Sequence, residues 1–140
     1  MDRRNFLTTS LATSAIPFLK VDAAQKDKKV KLAFIGVGLR GRNHVAQAVY
    51  REDVEITAIC DTDPDAIKRT LAITQKANRK DPAIYGKTDH DFINMLKRDD
   101  IDGVVIATPW EWHVPMSVES MKAGKYTAVE VSATVTLQES

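Results

Sequence analysis

Apolar residues follow two rhythms along this chain. Compact runs occupy residues 32–35, 54–60, 103–107 and 126–131, while the segments between them carry apolar side chains every three to four positions. The first rhythm is that of strands buried in a sheet, and the second is that of helices with one inward stripe. Val45, Ala48 and Val49 form such a stripe after the first run, and a helix is expected to begin near Gly41. Ile67, Leu71 and Thr74 form the inner face of the next helix. It opens at Asp63-Pro64-Asp65, since proline is tolerated in a first turn and acids there suit the helix dipole. Asp81-Pro82 ends it, residues 83–85 read as a short strand, and Thr88 or Asp89 is expected to cap a helix carrying Phe92, Met95 and Leu96. A further helix is expected to begin at Pro115. Residues 126–131 read as a buried strand, and residues 136–140 as the start of a capped helix that is cut off. Strands alternating with helices predict an α/β fold, a doubly wound parallel sheet covered on both faces.

The formal charge of +1 is spread over interspersed acids and bases. That pattern argues against a nucleic-acid groove or an anionic membrane surface. No internal repeat or low-complexity segment is visible, and no metal site is expected. Cys60 is the single cysteine, so no disulfide can form within the chain. Its place in the second strand predicts a buried, inert thiol.

Chemistry concentrates where the first strand ends. Gly36, Gly38 and Gly41 have G-x-G-x-x-G spacing, directly after an apolar run and directly before a helix pattern. In a dinucleotide-binding βαβ unit the first glycine permits the tight turn, the second lets backbone approach a pyrophosphate, and the third lets helix and strand pack closely. The N–H groups of the helix's first turn then face the phosphates. Asp61 closes the second strand twenty residues past Gly41, where a carboxylate accepts bonds from ribose hydroxyls and repels a 2′-phosphate. Thr62 follows it where an NADP enzyme often places arginine, which predicts NAD over NADP. The same kind of turn also serves S-adenosylmethionine-binding methyltransferases and plain connections.

The start of the chain stands apart. Arg3-Arg4 precedes an uncharged stretch over residues 6–19 that is short and interrupted by Thr, Ser and Pro17. This pattern looks like a twin-arginine export signal over residues 1–25 and is too short and polar for a membrane span; a frayed basic N-terminus is the alternative. Val21 and Ala23 suit the small-residue positions of a cleavage site. The domain is then expected over residues 26–140, exported to the periplasm through the twin-arginine machinery, a route that carries proteins already folded around a cofactor.

The fourth strand runs into Ala107-Thr108-Pro109-Trp110-Glu111-Trp112-His113, and ligands in open parallel sheets bind beyond the carboxyl ends of strands. Trp110 and Trp112 either cover a core edge or offer flat faces to a ring. His113 is either a capping residue at a helix start or a contact to cofactor or substrate. Glu111 reads as a solvated loop acid.

Taken together, the glycine turn with Arg40, Ile59-Cys60-Asp61, Ala107-Thr108-Pro109 with His113, and Met121-Lys122-Ala123-Gly124-Lys125 resemble the Gfo/Idh/MocA oxidoreductase family, named for glucose-fructose oxidoreductase, inositol dehydrogenase and MocA. The resemblance implies a Rossmann domain holding NAD, followed by a C-terminal α/β substrate domain that this chain lacks. Where that family usually has Glu-Lys-Pro, this chain has Glu130-Val131-Ser132, so the lysine that assists hydride chemistry is missing. Together with Trp-Glu-Trp-His and the export signal, this is similar to glycoside hydrolase family 109, the α-N-acetylgalactosaminidases.

That likeness implies a small carbohydrate substrate, transient oxidation of its C3 hydroxyl by bound NAD, elimination of the aglycone, addition of water and return of the hydride. It implies that Gly36, Gly38, Leu39, Arg40 and Gly41 hold the pyrophosphate and Asp61 the ribose. Pro109, Trp110, Trp112 and His113 fall on the nicotinamide side. Glu130 falls where substrate and nicotinamide meet. The catalytic tyrosine and histidine are expected beyond Ser140, and a homo-oligomer, if formed, would use the missing domain. An NAD-dependent sugar dehydrogenase and an inactive cofactor-binding module are the alternatives.

Overall fold

The computed structural model describes residues 28–134, so the expected export signal and the expected helix at 136–140 lie outside the described residues. The elements run β1 (Val30–Ile35), α1 (Leu39–Ala48), β2 (Val54–Cys60), α2 (Pro64–Lys76), β3 (Ala83–Tyr85), α3 (Phe92–Leu96), β4 (Gly103–Ile106), a 3₁₀ turn (Trp110–Trp112), α4 (His113–Lys122) and β5 (Tyr126–Val129). All strand pairs are parallel, in the order β3-β2-β1-β4-β5. The order reverses between β1 and β4, which leaves a crevice at their carboxyl ends.

Each face of the sheet has its own core. Phe34 of β1 and Ile59 of β2 pack under Val45, Ala48 and Ala66 of α1 and α2. Ala33, Ile35, Ala58 and Val104 pack under Phe92, Met95, Leu96 and Met116 of α3 and α4. Parallel pairing demands this arrangement, because each crossover lays a helix across the sheet.

The register of β1 against β2 shifts between Leu32 and Ala33, so that Leu32 faces Ile56 while Ala33 faces Ala58. Thr57 is the extra residue, and its hydroxyl donates to the Leu32 carbonyl at 3.1 Å. The bulge re-phases β2. Val54 and Ile56 before it, and Ile59 after it, all pack with the α1–α2 core, leaving Ala58 and Cys60 for the other face.

Several local expectations change. Helix α1 starts at Leu39, so Gly41 lies inside its first turn. The fully buried stripe of α2 is Ala66, Thr70 and Thr74, with Ile67 and Leu71 only half-buried beside it. Neither Thr88 nor Asp89 caps α3; Asp91 occupies that position. Strand β4 stops at Ile106, and α4 starts at His113 with Pro115 in its first turn. Residues 126–131 do not form a buried strand. Strand β5 ends at Val129 and is an edge among the described residues, with Tyr126 86% exposed. A compact apolar run reads as buried, but edge position is a property of topology rather than of composition.

Candidate functional site

The crevice at the carboxyl ends of β1 and β4 is a cleft of about 250 Å³. The β1–α1 turn forms its floor. Gly36 has φ +79°, a left-handed conformation that favours glycine, and a Cβ there would stand 2.7 Å from the Ala107 carbonyl oxygen. A Cβ on Gly41 would come within 1.8 Å of the Gly36 carbonyl oxygen. Gly38 differs, because a Cβ there would meet nothing within 4 Å among the described residues. Two of the glycines are therefore required by the protein's own packing, while the third keeps open a space that the protein does not fill.

The two neighbouring helix starts differ in the same sense. Asp63 caps α2 by accepting the Asp65 N–H at 2.8 Å, with Asp65 adding an acid in the first turn. Helix α1 has Gly38 at its cap, no side-chain cap bond and no acid in its first turn. Its leading N–H groups thus lack a side-chain anion where the cleft opens, the donor arrangement that suits a phosphate.

Asp61 stands at the end of β2 with both carboxylate oxygens engaged. Oδ2 accepts the Val37 N–H at 2.7 Å and Oδ1 accepts the Asp63 N–H at 2.9 Å. Each oxygen keeps a further lone pair for a ligand hydroxyl. The Asp61 carbonyl lies against Gly86, where φ is +145° and a Cβ would stand only 1.8 Å from that oxygen. This packs the β3–α3 loop against the site, and Thr88 and Asp89 of that loop join the cleft wall. The loop is held from beneath by Asp91, buried, whose Oδ2 accepts the N–H groups of Gly86 at 2.8 Å and Lys87 at 3.0 Å. Asn94 donates to its other oxygen at 2.9 Å. These donors, Asn94 foremost, draw the Asp91 carboxyl down to about 2.

On the opposite wall, Pro109 and Trp112 line the cleft, with Trp112 half-buried against the core and edge-on to His90 at 5.4 Å between ring centroids. Trp110 is not part of the lining and is 62% exposed. Thr108 also lines the cleft, and its hydroxyl oxygen is buried with no hydrogen-bond partner among the described residues. A buried orphan of this kind is open to a polar ligand group or to a water. His113 is 1% exposed and does not line the cleft; its Nδ1 lies 2.7 Å from the Ser132 carbonyl oxygen and its Nε2 2.9 Å from that of Thr108. The ring thus ties the loop after β4 to the segment after β5.

Glu130 follows β5, its N–H bonded to the Ile106 carbonyl at 3.0 Å. Its side chain turns toward α1. Oε1 takes both His44 Nε2 at 2.5 Å and Arg40 Nε at 2.9 Å. His44 first, and then Arg40, hold the Glu130 carboxyl below the usual carboxylate range.

Of the residues singled out in the sequence, the structure brings Gly36, Gly38, Asp61, Pro109 and Trp112 together around one cleft. Leu39 and Arg40, both exposed, stand at its rim with α1. Gly41 and His113 lie buried behind it, and Trp110 and Glu130 are outside the lining. Sequence reasoning missed Asp89 as lining, and Gly86, Asp91 and His44 as supports; it placed Thr108 at the site only as part of the loop after β4. A glycine five residues before an aspartate was the one available signal for the loop; nothing local marked His44.

The cleft fits a dinucleotide by its open cradle at Gly38, its uncapped helix start, its carboxylate at the end of β2 and its orphan Thr108 hydroxyl. Comparisons with known proteins agree. Residues 30–140 match the family model GFO_IDH_MocA, described as an oxidoreductase family with an NAD-binding Rossmann fold. Over 116 residues, 83% of this chain, the sequence is 47% identical to a glycosyl hydrolase family 109 protein of Shewanella baltica (strain OS195). It is likewise 47% identical to glycosyl hydrolase family 109 protein 1 of Shewanella sp. (strain ANA-3). The chain spans 25% of the length of these relatives. Among solved structures, scyllo-inositol dehydrogenase from Lactobacillus casei with bound NAD(H) and scyllo-inositol superposes with a TM-score of 0.67 at 19% identity, over 80% of this chain and 31% of that one. Myo-inositol 2-dehydrogenase from Lactobacillus plantarum does so with a TM-score of 0.67 at 22% identity, over the same shares. At those identities the structural likeness speaks to fold alone.

Proposed function

This chain belongs to the Gfo/Idh/MocA oxidoreductase family and carries its NAD-binding Rossmann domain, and on that premise we propose that it is the cofactor domain of an exported glycosidase resembling the α-N-acetylgalactosaminidases. The observation that carries the proposal is the 47% identity, over 116 residues, to proteins named glycosyl hydrolase family 109, and the chain's own Trp-Glu-Trp-His loop and Glu130-Val131 are in keeping with it. Val131 is 81% exposed and offers no proton or hydrogen bond where the wider family has its lysine. That side chain supports a reaction other than simple alcohol oxidation.

When bound, NAD supplies a reversible hydride acceptor, which permits transient oxidation at C3 of the sugar, elimination of the aglycone, addition of water and return of the hydride. This chain's residues bind and orient. Gly38 admits the pyrophosphate to the start of α1, Asp61 accepts ribose hydroxyls, and Pro109 and Trp112 wall the cleft so that water is displaced from it. Asp61 and Asp89 together place two carboxylates at the ribose end of the cleft, which favours NAD over a cofactor bearing a 2′-phosphate. Export through the twin-arginine route belongs to the same proposal, resting on Arg3-Arg4 and the segment after them. Replacing both arginines by lysine is expected to abolish export.

The test uses the full-length protein, an α-linked N-acetylgalactosaminide with a chromogenic aglycone, and absorbance of NADH. Release of the aglycone without net NADH supports the glycosidase. Stoichiometric NADH, with no aglycone released, would replace it by the dehydrogenase alternative.

A further inference from the structure

The geometry points to His44 as a positioning residue that sets the Glu130 carboxylate, and through it Arg40, for a bound dinucleotide; this rests on the cofactor reading above. Arg40 and His44 are four residues apart in α1 and so share one helix face. Glu130 reaches that face from the far end of the sheet, 86 residues along the chain from His44. Both donors converge on the same oxygen, Oε1. A carboxylate only accepts, so His44 Nε2 is the donor in that contact. The second oxygen, Oε2, has no hydrogen-bond partner among the described residues.

Consequences follow at both ends of the cluster. Glu130 sits one residue past β5, beside the end of β4 and hence beside the loop that walls the cleft. With Oε1 pinned, Oε2 is left as an oriented acceptor for a hydroxyl of the nicotinamide ribose. Arg40 is held through Nε, which leaves its terminal Nη groups at the rim of the glycine turn, where its side chain is 69% exposed. Arg40 belongs to the first turn of α1, so those Nη groups are available to a pyrophosphate held at that helix start. His44 is half-buried, 33% exposed at the side chain, and its bond to Glu130 is the shorter of the two. It therefore restrains Glu130 even when Arg40 turns toward phosphate. A solvated surface pair would need no such second donor, since exposed ion pairs contribute little by themselves.

The test measures NAD affinity of the full-length protein by quenching of tryptophan fluorescence, independently of turnover, with thermal melting to verify folding. His44→Ala is expected to weaken NAD roughly tenfold, as for loss of one charge-assisted hydrogen bond. His44→Gln, which replaces the Nε2 donor by an amide, is expected to restore most of that affinity. Glu130→Gln is expected to weaken NAD, and adding His44→Ala to it should cost little more, because the two residues act in series. Unchanged affinity in His44→Ala, or losses that simply add in the double variant, would overturn the role of His44 while leaving the cofactor reading intact. Failure of the unaltered protein to bind NAD overturns the cofactor reading itself.

Discussion

The Asp61 carboxylate accepts the backbone N–H of Val37 at 2.7 Å, joining the end of β2 to the glycine turn after β1. Its other oxygen holds the Asp63 N–H at the start of α2. The residue that reads as a ribose ligand is thus also a structural brace. Asp61→Ala is expected to lower stability by about 1–3 kcal/mol, since backbone donors lose their acceptors, as well as to weaken NAD and narrow the preference over NADP. Thermal melting and parallel NAD and NADP titrations check both arms; a variant melting like the parent protein would show that the brace is dispensable.

The three glycines of the turn differ in what a side chain would meet there. Gly41→Ala forces a methyl to within 1.8 Å of backbone and is expected to cost about 3 kcal/mol or prevent folding. Gly38→Ala puts its methyl within 4 Å of no atom of the described residues beyond its chain neighbours and is expected to melt near the parent temperature while losing NAD affinity at least tenfold. Loss of fold in Gly38→Ala, or retention of NAD by it, contradicts the assignment of the cradle.

Acid should loosen the wall formed by the β3–α3 loop. The Asp91 carboxyl titrates at about 2 when folded, against an ordinary value of 3.8. A lowered value means that its contribution is fully present above about pH 4 and is lost as pH falls toward 2, because the unfolded chain binds the proton first. Urea unfolding between pH 5 and pH 2 is expected to show this loss, and Asp91→Asn is expected to flatten that part of the profile while weakening the protein at neutral pH.

At the other end of the scale stands the Cys60 thiol, 5% exposed, which burial foremost pushes up to about 12 from an ordinary 9.0. The neutral thiol is the form the fold accepts, so this contribution is complete below pH 9 and falls as pH rises toward 12. A thiol reagent at pH 8 is expected to modify the folded protein far more slowly than the urea-unfolded chain. Equal rates would show that the second strand is open to solvent.

Much of the site was readable because its chemistry is local. Turn glycines, the carboxylate closing β2 and Pro64 at the start of α2 act over a few residues, so their spacing along the chain carries their meaning. The alternation of strand and helix patterns was enough to predict a parallel sheet covered on both faces, since each period reflects one element's own geometry. What spacing could not convey are neighbours made by the sheet. His44 meets Glu130 only because β5 lies beside β4 on the side where α1 begins. Gly86 abuts Asp61 because β3 pairs with β2. Thr57 bulges because β1 and β2 must align their buried faces, and Tyr126 is exposed because β5 has no described strand beyond it. Each depends on strand order and on which face a helix covers, free-energy choices made by the whole core that no single segment records.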